Sequence, residues 1–564
     1  MLYQLYESQR TLMEPFIDFA QAAAKLYSSS SSPIGQTPLA QRISAGYSLM
    51  YRLGKAYERP AFDIHQVEVG NKGVSLAIHE RVELDKPFCE LRRFKRFTDD
   101  ADTLMKLKNQ PAVLVVAPLS GHYSTLLRDT VKTMLKDHKV YITDWKNARN
   151  VPLTDGAFHL DDYVNYVQEF IRHLQGKYGN CHVVSVCQPT VPVFAAISLM
   201  ASRGEKTPLS MIMMGGPIDA RLSPTSVNNL ATTKPYEWFE NNVIYRVPAN
   251  FPGKGRRVYP GFLQHTGFVA MNPDRHASSH YDYFKDLIKG DGASTEAHRK
   301  FYDEYNAVLD MDADYYLETI KTVFQDFKLV NGTWDVMSEG GKLERVIPGD
   351  IKTTAVMTVE GELDDISGSG QTRAALDMCS GVAAKQKTHL EATGAGHYGI
   401  FSGRRWRDVV YPAVTSFILE HNEMSGQTAK KAPVSLPAKS AKKSVAPALA
   451  GAQAVLSGPK AAEEVKVAPK PRVKKSTVEL KPSATALTPA AVQSASAAEK
   501  IAVEPVRTIA KNAATSATVA SESAVSAALA AAATSAASTR EAIADAAEAE
   551  AATAAPLPLD NSAA

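Results

Sequence analysis

Cysteine is scarce, with four in 564 residues: Cys89, Cys181, Cys187 and Cys379. Scattered thiols without a CxxC or a Cys/His cluster exclude a disulfide framework and offer no zinc pattern, so the sequence implies a reducing compartment and no metal. Apolar runs of roughly 18 or more residues are missing outside an Ala-rich tail, whose methyl groups are too weakly apolar to favour a bilayer, and no transmembrane segment is expected. The N-terminus, MLYQLYESQRTLMEPF, has no basic start leading into an apolar run and a small-residue cleavage site, so no signal peptide is expected either. One-sided charge is also missing. Lys plus Arg number 63 and Asp plus Glu 60, a net +3, which gives no whole-chain reason to bind nucleic acid or an acidic substrate. Together these absences describe a cytoplasmic chain.

Beyond Glu423 the aromatic residues and cysteine stop altogether, and Ala, Ser, Lys, Val, Pro, Thr and Glu take over. Residues 424–564 therefore read as a low-complexity tail, disordered because it cannot assemble a core large enough to offset chain entropy. Lysines crowd its first part, from Lys430 to Lys481, ahead of an Ala-rich segment ending with Glu541, Asp545, Glu548 and Glu550, so nonspecific contact of the basic part with DNA or an anionic granule coat is one expectation and a solvated linker the other. At the opposite end, 1–60 reads as a helical appendage: Leu2 to Tyr27 and Pro38 to Tyr57 are helical, and the serines before Pro33 break them. From Phe62 to Arg96 apolar alternation with Gly70-Asn71 at a turn suggests antiparallel strands. Strands and helices then alternate: AVLVVA from Ala112, a helix from Tyr123 to Leu135, a strand from Val140 to Asp144, an amphipathic helix from Leu160 to Leu174, a strand from His182 to Val186, a helix from Val191 to Ser202 and a strand from Leu209 to Met214. The alternation resumes with Thr353 to Val359, Thr372 to Met378, Lys387 to Ala392 and Trp406 to His421. Strand–helix alternation of this kind makes a doubly wound, mostly parallel sheet. The expected fold is an α/β-hydrolase fold in two core parts, 61–218 and 350–423, with an aromatic-rich cap or lid inserted at 219–349.

Such a fold carries its nucleophile at a strained strand-to-helix turn flanked by small residues. Here the strand HVVSV runs into Cys187, with Ser185 two residues before and Pro189 two after, at the start of a helix. The helix N-terminus favours thiolate over thiol, and the backbone N–H of Gln188 is a candidate oxyanion donor. A small buried thiol is the competing reading of Cys187. The acid and the histidine should follow on loops after late strands. Glu360-Gly361-Glu362-Leu363-Asp364-Asp365 supplies the acid, Asp364 by preference and Asp365 as runner-up. Gly394-Ala395-Gly396-His397 supplies the histidine. Three members in the right order on the right elements outweigh the solvated-loop reading of each. Ser120 and Gly121, in the loop after AVLVVAPL, are candidates for the second oxyanion N–H.

The motifs VVSVCQPTVPVFAA, VAPLSGHYSTLLRD, ITDWKNARNVP, TVEGELDDISGSGQT and GAGHYGIFSGRRW make the chain, from its N-terminus to about residue 422, resemble the intracellular poly(3-hydroxybutyrate) depolymerase family. The resemblance implies hydrolysis of short-chain polyhydroxyalkanoate on cytoplasmic granules, a Cys187, Asp364 and His397 triad, contact with the polymer or granule surface, and no cofactor. Two alternatives differ in class. A polyester synthase-like acyltransferase shares the triad, but its Gly-Tyr-Cys-x-Gly-Gly style of elbow is absent; a granule-coating protein with a degenerate hydrolase domain would not need the triad in order.

Overall fold

The computed structural model describes residues 2–29, 35, 37–70, 73–271 and 273–422. The low-complexity tail and Asn71 of the expected turn lie outside them. Nine strands form the main sheet: β1 (Gln66–Val69), β2 (Val74–Asp85), β3 (Cys89–Phe97), β4 (Ala112–Val116), β5 (Lys139–Trp145), β6 (His182–Val186), β7 (Ser210–Met214), β8 (Ala355–Gly361) and β9 (Lys387–Ala392). Their order is β1-β2-β3-β5-β4-β6-β7-β8-β9. The pairs β1–β2, β2–β3 and β3–β5 are antiparallel, and every later pair is parallel. This is an α/β sheet of doubly wound type. Helices on both faces explain why AVLVV, HVVSV and SMIMM are buried at every position rather than at alternate ones.

Several helices differ from the sequence expectation for local reasons. The segment read as one helix from Tyr123 is a 3-10 turn, Ser124–Leu127, followed by an α-helix over Arg128–Met134. Ser124 Oγ bonds Asp144, and Thr125 Oγ1 bonds Glu304 at 2.7 Å, so both hydroxyls hold the turn to other elements. The helix expected from Thr372 begins at Ala374, because the amides of Thr372 and Arg373 donate to the buried Glu360 carboxylate at 2.8 and 2.9 Å. The last helix opens as a π turn, Trp406–Val410, ahead of Tyr411–Glu420, where Pro412 lacks the amide an α-helical bond would use.

Between β7 and β8 the chain leaves the sheet. Helices Gly261–Met271, Pro273–Lys289, Gly292–Tyr305 and Ala313–Thr319 lie in this stretch, with a small antiparallel sheet of Tyr245–Arg246, Arg257–Tyr259 and Met311–Asp312. Buried Arg256 ties it to the body, donating to Val151 O at 3.0 Å and to Asp312 at 2.9 Å. Helices Leu2–Ser28 and Pro38–Gly54 rest on the same stretch through Tyr3 Oη to Asp310 (2.6 Å) and Arg52 to Asp303 (3.0 Å). Among the described residues no helix is long and apolar enough to cross a membrane.

Three of the histidines buried in this framework make its stability depend on pH. Burial pushes His122 and His138 down to about 4 and His182 to about 3, so each stays neutral in the native state. In the unfolded chain they titrate near 6.5. Below that pH the unfolded state binds protons that the folded state refuses, so their full contribution is present above about 6.5 and is lost as pH falls towards 4. Each accounts for roughly 1.4 kcal/mol per pH unit across that window, on the order of 4 kcal/mol per unit for the three. Urea unfolding at pH 7.5 and pH 5.5 should show a marked loss at the lower pH, and His138→Asn should reduce the slope. An unchanged midpoint would mean that these rings protonate in the folded state.

Candidate active site

The turn after β6 is strained at one residue. Cys187 has φ +68°, in the left-handed region that side chains with a Cβ avoid, and the helix Thr190–Ser202 starts three residues later. Its own amide continues the ladder to β7, donating to Met214 O at 2.7 Å, so the sheet imposes the turn. The other three cysteines are buried, whereas Cys187 is partly exposed. Burial pushes Cys181 and Cys379 up to about 12 and raises Cys89 well above its usual value, so those thiols are inert near neutral pH.

Space behind the turn is made by two glycines at the end of β7. A Cβ on Gly216 would overlap Thr190 Oγ1 and lie 2.6 Å from Cys187 O. A Cβ on Gly215 would lie 2.6 Å from Ile400 Cδ1 and 3.3 Å from both Asp364 Oδ2 and His397 Cε1. Gly216→Ala is therefore expected to destabilise the protein by roughly 2–4 kcal/mol, because a backbone and a buried helix must both move. Gly46→Ala, where a Cβ meets nothing within 4 Å on a helix, should be neutral or mildly stabilising. Thermal unfolding of the two variants compares them, and equal melting points would discount the close approach.

His397 opens a short turn after β9 and is buried, its ring edge-on to Phe401. Its Nδ1 is 2.8 Å from Asp364 Oδ2, while Asp364 Oδ1 accepts from the amides of Ile366 and Ser367 at 2.9 and 2.8 Å. Two fixed donors on one oxygen leave the other aimed at the imidazole. Burial alone would lower the titration of His397; Asp364 and the Cys187 sulfur act on the same ring and together hold it well above its usual value. The structure thus brings Cys187, Asp364 and His397 together. Asp365 makes no bond to the imidazole, and burial raises its carboxyl.

Among the described residues the Gln188 amide has no acceptor, nor do those of Ser120 and Gly121. The carbonyls of the loop, by contrast, are held from behind. Trp145 Nε1 donates to Ala117 O at 2.8 Å, Tyr315 Oη to Leu119 O at 3.1 Å, and the Leu309 amide to Gly121 O at 2.8 Å. Fixed carbonyls fix the peptide planes, which is how a loop presents preorganised N–H groups. Gly121 has φ +110°, and a Cβ there would sit 2.6 Å from Gln264 Oε1. Gln264 and Tyr315 escaped the sequence reading: no motif separates Tyr315 from its aromatic neighbours, and Gln264 acquires its place only when helix Gly261–Met271 packs on the loop. His122 turns away, stacked on Phe268 with Nε2 3.1 Å from Tyr305 O. Among the described residues no cluster of three or more His, Cys, Asp or Glu side chains is arranged around a metal position.

Sheet order, the positive-φ turn after β6, and the acid and histidine after β8 and β9 define an α/β hydrolase. Residues 215–422 match the family described as PHB de-polymerase C-terminus, and the match supports a carboxylic ester hydrolase. Similar solved structures include DcsB in complex with its substrate analogue (15% identity, TM-score 0.34, covering 61% of this chain and 99% of DcsB). A monoacylglycerol lipase from Paleococcus ferrophilus has 14% identity and TM-score 0.33, covering 56% of this chain and 96% of the lipase. A thioesterase domain from the curacin biosynthetic pathway has 11% identity and TM-score 0.31, covering 61% and 99%. No curated protein matches the chain.

Proposed function

We propose that the chain depolymerises poly(3-hydroxybutyrate) and related short-chain polyhydroxyalkanoates on cytoplasmic granules, with Cys187 as nucleophile, His397 as general base and acid, and Asp364 as its orienting carboxylate. The observation that carries this reading is a partly exposed thiol at φ +68° acting on a buried histidine whose Nδ1 is 2.8 Å from a carboxylate oxygen. His397 takes the Cys187 proton, and sulfur attacks the ester carbonyl. The tetrahedral oxyanion is held by the Gln188 amide and by Ser120 or Gly121. Collapse breaks the C–O bond, and the departing alkoxide takes the proton from His397, leaving a hydroxyacyl thioester. Water then gives its proton to His397 and attacks the thioester, sulfur leaves, and the free acid is released. Residues 219–349 serve as the cap over this centre; its uncharged aromatic side chains suit methyl and ester groups, which offer no hydrogen-bond donor.

The test is mass spectrometry of protein quenched during turnover of amorphous polyester. A hydroxyacyl adduct on Cys187 is expected. Turnover with no adduct on any cysteine, or with one on a different residue, would overturn the assignment; growth of polymer from hydroxyacyl-CoA would make the chain an acyltransferase instead.

A further inference from the structure

Over its first two-thirds, helix Leu2–Ser28 touches the body along one side only. Tyr3 and Glu7 are buried, Tyr3 Oη bonds Asp310, and Tyr6 stacks on Phe262 with ring centroids 4.1 Å apart. Farther along the opposite side is covered instead: Ala20, Ala23 and Ala24 are buried, and Ser44 of the next helix bonds Ala24 O at 2.9 Å. Up to Phe19 the other side is apolar apart from Gln9 and, among the described residues, uncovered. Leu5, Leu12, Phe16 and Phe19 are 65%, 71%, 62% and 61% exposed, with Leu2 and Met13 also exposed. At about 100° per residue these six positions fall in a sector of about 120°. The charged residues of the helix, Glu7, Arg10, Glu14, Asp18 and Lys25, all lie outside it. Folding alone gives no reason to keep such a stripe in water, and contiguous apolar surface of this kind marks an interaction site.

We propose that this face adsorbs the enzyme to its polymer, an uncharged apolar polyester surface; the inference rests on the polyester reading above. Charge decides against an anionic lipid surface, because the sector holds no cation and the helix as a whole has three carboxylates and two cations. A polyester presents methyl groups and carbonyl acceptors but no donors, so Leu and Phe cover it without stranding a buried donor. The stripe is also continuous with the catalytic side of the molecule. Tyr6 stacks on Phe262; Phe268, six residues or about 9 Å along the same helix, stacks on His122 of the loop carrying Ser120 and Gly121. A water-insoluble chain cannot diffuse to the site, and a hold beside that loop keeps the enzyme at the surface while successive bonds reach Cys187.

The full chain is compared with a Leu5→Gln, Leu12→Gln, Phe16→Gln triple variant on a soluble short-chain ester and on dispersed amorphous poly(3-hydroxybutyrate) particles, with adsorption measured by pelleting and mass by light scattering. These side chains are exposed, so the soluble ester should be hydrolysed within twofold of the parent rate. Adsorption should weaken at least tenfold, and acid release from dilute particles should fall with it. Unchanged adsorption overturns the inference. So does an equal loss on both substrates, which would give the face a role in supporting the site, and so does a parent dimer that becomes monomeric with adsorption intact, which would assign the face to a second copy. A parent that adsorbs but releases no acid would sink the polyester reading and leave the adsorption result standing.

Discussion

Cys187→Ala is expected to lower kcat/KM for ester hydrolysis by about 10⁴-fold or more while leaving the fold intact. Nucleophile, base and acid act as a unit, so removing the attacking atom leaves only what binding and the oxyanion amides supply. Alanine has the same difficulty as cysteine at φ +68°, so the melting point should move little. Cys187→Gly should be inactive as well but more stable than Cys187→Ala by about 1 kcal/mol, because glycine adopts that conformation freely. Cys181→Ala and Cys379→Ala remove thiols that burial has raised to about 12, and should keep activity within a few-fold. Steady-state kinetics with circular dichroism on the four variants separate these effects, and an active Cys187→Ala protein would remove the thiol from the chemistry.

Asp364→Asn is expected to cost about 10³–10⁴-fold in kcat/KM, against a few-fold for Asp365→Asn, although the two acids are adjacent. An asparagine in the first position can still accept from the Ile366 and Ser367 amides, which turns its NH2 towards His397 Nδ1 and favours the wrong tautomer. The change also removes the charge that opposes burial, so the His397 titration should fall; imidazole NMR across pH reads this directly. Asp365 makes no such bond, and its loss should leave both readouts near the parent. Equal effects of the two substitutions would mean that Asp364 only shapes the loop.

The sheet was legible because its signals are local. AVLVVA, HVVSV and the strand through Met214 are short unbroken apolar runs, and such runs alternating with amphipathic helices have few arrangements other than a mostly parallel sheet. Helix starts were read less well. Ser124, Thr125 and the amides of Thr372 and Arg373 bond to Asp144, Glu304 and Glu360, partners 12 or more positions distant, and no local propensity records such bonds.

By itself the sequence determined the order of the chemistry: a cysteine after a buried strand and before a helix, then an acidic loop, then a glycine-rich loop with one histidine. That order survives without coordinates because each residue type is tied to the end of a strand that hydrophobic periodicity marks. Tertiary structure alone decided which neighbouring carboxylate meets the histidine, how Tyr315 and Leu309 fix the loop of Ser120 and Gly121, and which thiol escapes burial. These are differences of a few ångströms between residues alike in type and adjacent in sequence, set by packing between segments far apart in the chain. At Cys187 the two levels meet: the residue was visible in the sequence, but the φ of +68° and the neighbouring imidazole that distinguish it from Cys181 and Cys379 exist only in the folded sheet.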